Sequence, residues 1–193
     1  MSRNILIVGV GGQGTLLASK IIGSVATKAG FDVKISETHG MAQRGGSVVT
    51  TVCIGDNVYS PMIDNGEADI LLSFEQLEAL RYAKYVKTDG IIITNTQKIS
   101  PIAVLIGANE YPIDNLEKIN NKFRVIELDA LDIAQNCGSV KCINVVLLGV
   151  LARNMEFSKE VWIDAINTVV PPKFIDLNMK AFEAGYTYKQ EEK

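Results

Sequence analysis

One short segment of this chain concentrates residue types that can bind anions and move protons. Residues 36–47 read Ser-Glu-Thr-His-Gly-Met-Ala-Gln-Arg-Gly-Gly-Ser and contain the single histidine of the sequence, His39. An imidazole titrates near neutral pH, and the guanidinium of Arg44 has the shape to bind a carboxylate or a phosphate. The glycines around them let a backbone turn tightly or approach a ligand closely. We therefore take His39 and Arg44 as candidate catalytic residues, with a solvated surface loop as the alternative.

A second candidate site follows the first apolar run of the chain. The apolar run of residues 4–10 leads into the sequence Gly9-Val-Gly-Gly-Gln-Gly14, and a helical pattern follows over residues 15–28. This Gly-x-Gly-x-x-Gly spacing between a strand and a helix is typical of turns whose backbone amides bind the phosphates of a dinucleotide. Glu37 follows the second predicted strand, where such folds place a carboxylate for a ribose hydroxyl. A partner contact, or close helix–strand packing without a ligand, would explain the same glycines. The candidate cofactor-binding residues are Gly9, Gly11, Gly12, Gln13, Gly14 and Thr15.

Strands and helices alternate along the chain, which indicates an α/β fold. We predict a three-layer α/β/α sandwich with a Rossmann-like start and a mixed, mostly parallel sheet. The turn signal Gly55-Asp-Asn57 predicts a short antiparallel hairpin between residues 48–54 and Val58-Tyr59. Residues 1–188 are expected to form a single domain, with 189–193 as a frayed tail. The predicted strands are 4–10, 31–35, 48–54, 68–73, 91–94, 102–106 and 124–128, and the predicted helices are 15–28, 74–85, 114–121, 129–136, 142–154, 159–168 and 174–184, the last ending at Gly185.

Composition excludes several classes of protein. Of the 193 residues 47% are hydrophobic and 21% are charged, with a formal net charge of −3, which is ordinary for a globular domain and argues against a nucleic-acid partner. No apolar stretch approaches the ~20 residues of a membrane helix, and the first ten residues do not fit a signal peptide, so we expect a cytoplasmic protein without a membrane partner. The three cysteines, Cys53, Cys137 and Cys142, lack a Cys-x-x-Cys spacing and are too few to ligate an iron–sulfur cluster. We predict no metal site in this chain.

Taken together, three motifs resemble those of a known family. Residues 9–15, residues 37–47 and the later run Asn144-Val-Val-Leu-Leu-Gly149 are similar to the gamma-type domain of 2-oxoacid ferredoxin oxidoreductases. Among these proteins they are most similar to the beta subunits of the indolepyruvate type. The similarity extends over nearly the whole chain, from about residue 3 to residue 185, and the run from His39 to Gly46 is its most distinctive part.

The resemblance implies a division of labour between two subunits. A larger alpha subunit would carry thiamine diphosphate, Mg²⁺ and 4Fe-4S clusters, while this chain would hold no cofactor alone and be inactive alone. The complex would decarboxylate an arylpyruvate, transfer the acyl group to coenzyme A as co-substrate, and pass electrons to ferredoxin. A free-standing NAD-dependent oxidoreductase and a regulatory nucleotide-binding module are the alternatives. The residues expected near the partner or the substrate are Glu37, Gly40, Met41, Gln43, Gly45, Gly46 and Asn144.

Overall fold

A six-stranded sheet forms the centre of the protein. The computed structural model describes residues 2–39 and 45–190, and the sheet order is β2-β3-β1-β4-β5-β6. Short 3₁₀ turns cover Ala83–Tyr85, Val140–Cys142 and Pro172–Phe174. The strands are β1 (Arg3–Val10), β2 (Asp32–His39), β3 (Ser47–Gly55), β4 (Ala68–Ser73), β5 (Val86–Asn95) and β6 (Arg124–Leu128), and the helices are α1 (Thr15–Lys28), α2 (Gln76–Tyr82), α3 (Ile102–Leu105), α4 (Asn115–Asn120), α5 (Ala130–Asn136), α6 (Ile143–Arg153), α7 (Lys159–Val169) and α8 (Ile175–Tyr186).

One strand runs against the direction of the other five. β1, β4, β5 and β6 are parallel neighbours, whereas β3 pairs antiparallel with both β1 and β2. β3 is therefore inserted between the two strands that α1 connects. The predicted mixed, mostly parallel sheet is confirmed, and the carboxyl ends of β1 and β2 lie at the same edge because these two strands run in the same direction.

Helices cover both faces of the sheet, which confirms the three-layer sandwich. On one face Ile5 and Ile7 of β1 pack in a cluster with α1, α5, α6, α7 and α8. On the other face Leu6 and Val8 pack with α2 and α4. Burial on both sides explains why β1 reads as an unbroken apolar run instead of an alternating one. In the part of the chain that the structure describes, every helix is too short or too polar to cross a membrane.

The antiparallel hairpin lies elsewhere than the turn signal predicted. It consists of β2 and β3, and residues 58–59 form no strand. Instead of pairing with β3, Val58 donates its backbone N–H to Asp32 Oδ2 at 3.0 Å, and the side chain of Tyr59 points into solvent. The prediction was wrong because both sides of β3 are already occupied, by β1 and by β2.

Residues 102–106 do not form the predicted strand, because Ile102–Leu105 are the helix α3. The N–H groups of Val104 and Leu105 donate to the carbonyl of Pro101, which begins α3. β5 is already paired with β4 and β6, so the sheet has no position for a further strand beside it. The segment is as apolar as a buried strand, although its large side chains are exposed, and this apolar composition led to the prediction of a strand.

The last helix also differs from its prediction, because it continues through Gly185 to Tyr186. Gly185 lies where α8 crosses α6, and a Cβ atom there would stand 1.9 Å from the carbonyl oxygen of Val146. The glycine therefore permits close helix packing and does not end the helix. Beyond it, Gln190 Oε1 accepts the N–H of Glu127 on β6 at 3.3 Å, while the division into a domain of residues 1–188 and a frayed tail stays a prediction.

Candidate functional site

The two glycine-rich loops meet at one edge of the sheet. Val10, the last residue of β1, pairs with Ser47, the first residue of β3, and His39 at the end of β2 pairs with Val48. The N–H of Gly11 donates to the carbonyl of Gly46 at 2.9 Å. Ligands of open α/β sheets gather at the carboxyl ends of the strands, so this edge is the expected place for a site.

Gln13 ties the first loop to the neighbouring strand. Its Oε1 accepts the N–H of Val10 at 2.7 Å, and its Nε2 donates to the carbonyl of Phe74 at 3.0 Å. Phe74 follows β4, so the Gln13 side chain fills the crevice between β1 and β4, where the order of the strands reverses. A Cβ atom on Gly9 would stand 2.8 Å from Gln13 Oε1, which explains the glycine at that position. Both polar ends of Gln13 are thus used within the chain.

Gly14 directly precedes α1 in a left-handed conformation, with φ of 87°, and no side chain caps the start of the helix. Asn144, at the start of α6, donates from Nδ2 to the Gly14 carbonyl at 3.3 Å and is buried. In the described residues the first-turn amides of Thr15 and Leu16 have no intrachain hydrogen-bond acceptor. Gly14 and Asn144 therefore hold the turn, and the helix start keeps free donors that could face an anion.

A shallow cleft of about 440 Å³ opens in front of these amides. Glu37 lies on its wall, within β2 and not after it as the sequence predicted, opposite Thr50 of β3. The hydroxyl of Thr50 donates to Glu37 Oε2 at 3.1 Å. A carboxylate beside free amides would suit a ligand that carries both a hydroxyl and a phosphate. The cleft is lined by Gly11, Gly12, Gly14, Thr15, Leu16, Glu37 and Val48.

Glu75 is a buried carboxylate that the sequence analysis did not identify. It is 1% exposed and precedes α2, where its Oε2 accepts the N–H of Glu78 at 3.0 Å. Its Oε1 accepts the N–H of Ile99 at 3.1 Å and the hydroxyl of Tyr111. Burial, followed by this hydrogen bond to a carboxylate, raises the pKa of Tyr111. Glu75 therefore fastens the connection between β5 and β6 to the same edge of the sheet.

Glu78, one turn further along the chain in α2, is another buried carboxylate near this edge. It is 3% exposed, accepts the hydroxyl of Ser47, and accepts a hydrogen bond from Arg81 Nη1 at 2.8 Å. Burial raises the pKa of the Glu78 carboxyl, an effect that Ser47 and Arg81 oppose and the neighbouring Glu75 reinforces. The sequence signal that could have found both carboxylates was a pair of glutamates directly after a buried strand, at the edge that carries the loops.

Part of the second loop lies outside the described residues. Gly40, Met41, Gln43 and Arg44 belong to that part, and of His39 only the backbone, at the end of β2, is described. Gly45 is exposed with φ of 77°. The catalytic roles suggested for His39 and Arg44 stay predictions.

Cys53 and Cys142 are buried, and Cys137 is partly buried. Burial raises the pKa of Cys53 and of Cys142, so both thiols stay protonated near neutral pH. All three cysteines are free, and among residues 2–39 and 45–190 no three histidine, cysteine, aspartate or glutamate side chains are placed to hold a metal ion.

Comparison with known proteins assigns the chain to a family. Residues 4–188 match the family model described as pyruvate ferredoxin/flavodoxin oxidoreductase. The chain is 44% identical over 190 residues to an indolepyruvate oxidoreductase subunit of Thermococcus kodakarensis, covering 94% of this chain and 93% of the relative. It is 46% identical over 193 residues to the corresponding subunit of Archaeoglobus fulgidus, covering 96% and 94%. The crystal structure of a keto/oxoacid ferredoxin oxidoreductase gamma subunit from Geobacter sulfurreducens superposes with a TM-score of 0.72 at 26% identity, covering 95% of this chain and 96% of that one. The chain belongs to the pyruvate ferredoxin/flavodoxin oxidoreductase family.

Proposed function

We propose that this chain is the small subunit of a cytoplasmic 2-oxoacid ferredoxin oxidoreductase that acts on aryl 2-oxoacids such as indolepyruvate. A larger subunit holds thiamine diphosphate, Mg²⁺ and 4Fe-4S clusters. The complex releases CO₂ from the oxoacid, joins the acyl group to coenzyme A, and passes two electrons to ferredoxin. The observation that carries the proposal is the 44–46% identity to indolepyruvate oxidoreductase subunits over nearly the full length of both chains.

The part played by this chain is to present a preorganised edge to the partner. Thiamine diphosphate, when bound to the partner, supplies the electron sink for decarboxylation. Gln13 and Asn144 fix the first loop from inside, which leaves the amides of Thr15 and Leu16 free to donate to a phosphate of coenzyme A or to an acidic side chain. Such donors gain strength when assembly excludes water from them.

An exposed apolar surface on the connection from β5 to β6 supports the subunit assignment. Ile102 is 57% exposed, Ile106 is 72% exposed, and Leu105 and Ile113 are similarly open to solvent. This connection is fastened to the loop-bearing edge through Glu75. Large apolar side chains that remain exposed together are typical of a protein–protein contact surface. We propose that the larger subunit covers them.

The substrate assignment is tested with the purified two-subunit complex and a panel of oxoacids. Indolepyruvate, phenylpyruvate, pyruvate, 2-oxoglutarate and ketoisovalerate would each be assayed with coenzyme A and ferredoxin reduction as readout. The proposal predicts the highest kcat/KM for the two aryl substrates. A complex that prefers pyruvate or 2-oxoglutarate would overturn the assignment of substrate while leaving the family intact.

The cleft between Gly12 and Glu37 favours a second candidate, the binding of a nucleotide by the isolated chain. Free amides at the start of α1 and the nearby Glu37 carboxylate match the phosphate and ribose contacts of dinucleotide sites. Titration of the isolated chain with NAD, NADP and coenzyme A separates the cases. Binding of coenzyme A alone would fit the small-subunit role, whereas tight binding of NAD would favour a nicotinamide-dependent activity.

A further inference from the structure

Ser47 occupies the junction between the second glycine-rich loop and the sheet. It is the first residue of β3 and pairs with Val10, the last residue of β1. Its neighbour Gly46 accepts the N–H of Gly11, and its own hydroxyl donates to the Glu78 carboxylate. The end of the second loop is thus held at two points, one on the first loop and one on α2.

Placing a carboxylate at this buried position costs stability. Glu78 is 3% exposed, and its pKa is raised because burial disfavours the ionised form. A buried ion pair can often be replaced by apolar residues of similar volume without loss of stability, and here the partner Arg81, whose side chain is 45% exposed, can turn to water when the Glu78 carboxylate is removed. Packing alone would therefore be served better by a methionine or leucine, so the carboxylate calls for a reason other than stability.

We infer that Glu78 is a positioning residue that acts through Ser47 to fix Gly46 against the first loop. The inference rests on the function proposed above, because it assigns the carboxylate a task in the assembled enzyme. Glu78 touches no substrate. By holding Ser47, it fixes the position at which the second loop enters β3. This also fixes the Gly46 carbonyl, which accepts the hydrogen bond from the Gly11 N–H. Displacement of reacting groups by about 1 Å can lower a rate by as much as about a hundredfold.

The test compares three substitutions in the two-subunit complex. Glu78→Met removes the acceptor while nearly keeping the volume, and we expect kcat to fall about tenfold to a hundredfold while the thermal midpoint stays at or above that of the wild type. Glu78→Gln keeps an acceptor for Ser47 and should restore kcat to within about threefold of the wild type. Arg81→Lys preserves the positive charge beside Glu78 and serves as the matched control, with kcat unchanged.

Coupling between the two residues gives a readout that a purely structural role would not move. Ser47→Ala should lower kcat as much as Glu78→Met, and the double variant should fall no more than about twofold further. The inference would be overturned if the fold-loss of kcat in the double variant equalled the product of the two single losses. It would also be overturned if Glu78→Met kept the kcat of the wild type.

A measurement without turnover keeps this inference separate from the proposed function. Amide hydrogen exchange in the isolated chain reports the Gly11 to Gly46 hydrogen bond directly. Exchange of the Gly11 amide should accelerate about tenfold in Glu78→Met and stay unchanged in Arg81→Lys. An inactive wild-type complex would refute the proposed function, whereas unaltered Gly11 exchange in Glu78→Met would refute the positioning role.

Discussion

Substitution of Gly185 by alanine should separate the two helices that pack most closely. Gly185 of α8 faces α6, and an added Cβ would lie 1.9 Å from the Val146 carbonyl oxygen. The opposing Gly149 is equally confined, because its Cβ would lie 2.3 Å from the Phe182 carbonyl oxygen. Both obstructions are backbone atoms, so no change of rotamer can relieve them.

The magnitude follows from two opposing effects. Alanine is favoured over glycine inside a helix by about 1 kcal/mol. Overpacking that forces backbone shifts costs about 1–3 kcal/mol and occasionally more, and a contact this short belongs at the upper end. We expect a net loss of about 2 kcal/mol or more in the free energy of unfolding. For a chain of this size that corresponds to a fall of about 4–8 °C in the thermal midpoint.

Thermal unfolding of the purified chain, followed by circular dichroism, measures this loss. Gly23→Ala is the matched control, because Gly23 is also helical but its added Cβ would meet only the flexible end of Ile35, at 2.9 Å. We expect the control to keep or raise the midpoint. Equal midpoints for Gly185→Ala and the wild type would refute the claim that α6 and α8 approach through these glycines.

Three further predictions concern the loop-bearing edge. Gln13→Ala leaves the Val10 amide and the Phe74 carbonyl without their hydrogen-bond partner. It should lower the free energy of unfolding, measured by urea titration, by about 1–3 kcal/mol. An unchanged urea midpoint would show that water replaces both contacts. Because the pKa of Glu78 is raised, the native state binds more protons than the unfolded state between pH 4.5 and the raised pKa. The free energy of unfolding of the wild type, taken relative to Glu78→Gln, should therefore fall as the pH rises through this window, and a rise would contradict this sign. Because Ile106 is exposed, Ile106→Ser should keep the thermal midpoint within about 2 °C of the wild type. The same change should weaken subunit association, measured by calorimetry, about tenfold. Undiminished association would show that this surface is not part of the interface.

Elements were predicted correctly where the hydrophobic pattern of the segment agrees with its burial in the fold. β1 is apolar on both faces, and the helix predicted over residues 129–136 is present as α5, which Asp129 caps by accepting the N–H of Asp132 at 2.9 Å. The strand predicted over residues 102–106 was wrong because a run of apolar residues cannot reveal that the sheet positions beside β5 are taken. The prediction that the last helix ends at Gly185 was wrong because a glycine can either end a helix or allow it to pack closely against another helix.

The candidate site was predictable in its location but not in its internal contacts. Two polar loops after the first two strands must meet when those strands run in the same direction, and the Gly11 to Gly46 hydrogen bond joins them. Phe74, which accepts from Gln13, and Ser47, which donates to Glu78, lie more than 30 positions away from these residues in the sequence, so local patterns could not predict the two contacts. Gln13 and Asn144 both lie where the motifs indicated, yet each is turned inward to hold the loop.

The central claim is that this chain completes an active site on a larger subunit. The most direct measurement compares ferredoxin reduction by the chain alone, by the larger subunit alone and by the two together, with indolepyruvate and coenzyme A supplied. We predict turnover only when both subunits are present. Oxidation of a metabolite by the isolated small chain with its own bound nicotinamide, or full turnover by the larger subunit without it, would contradict the account.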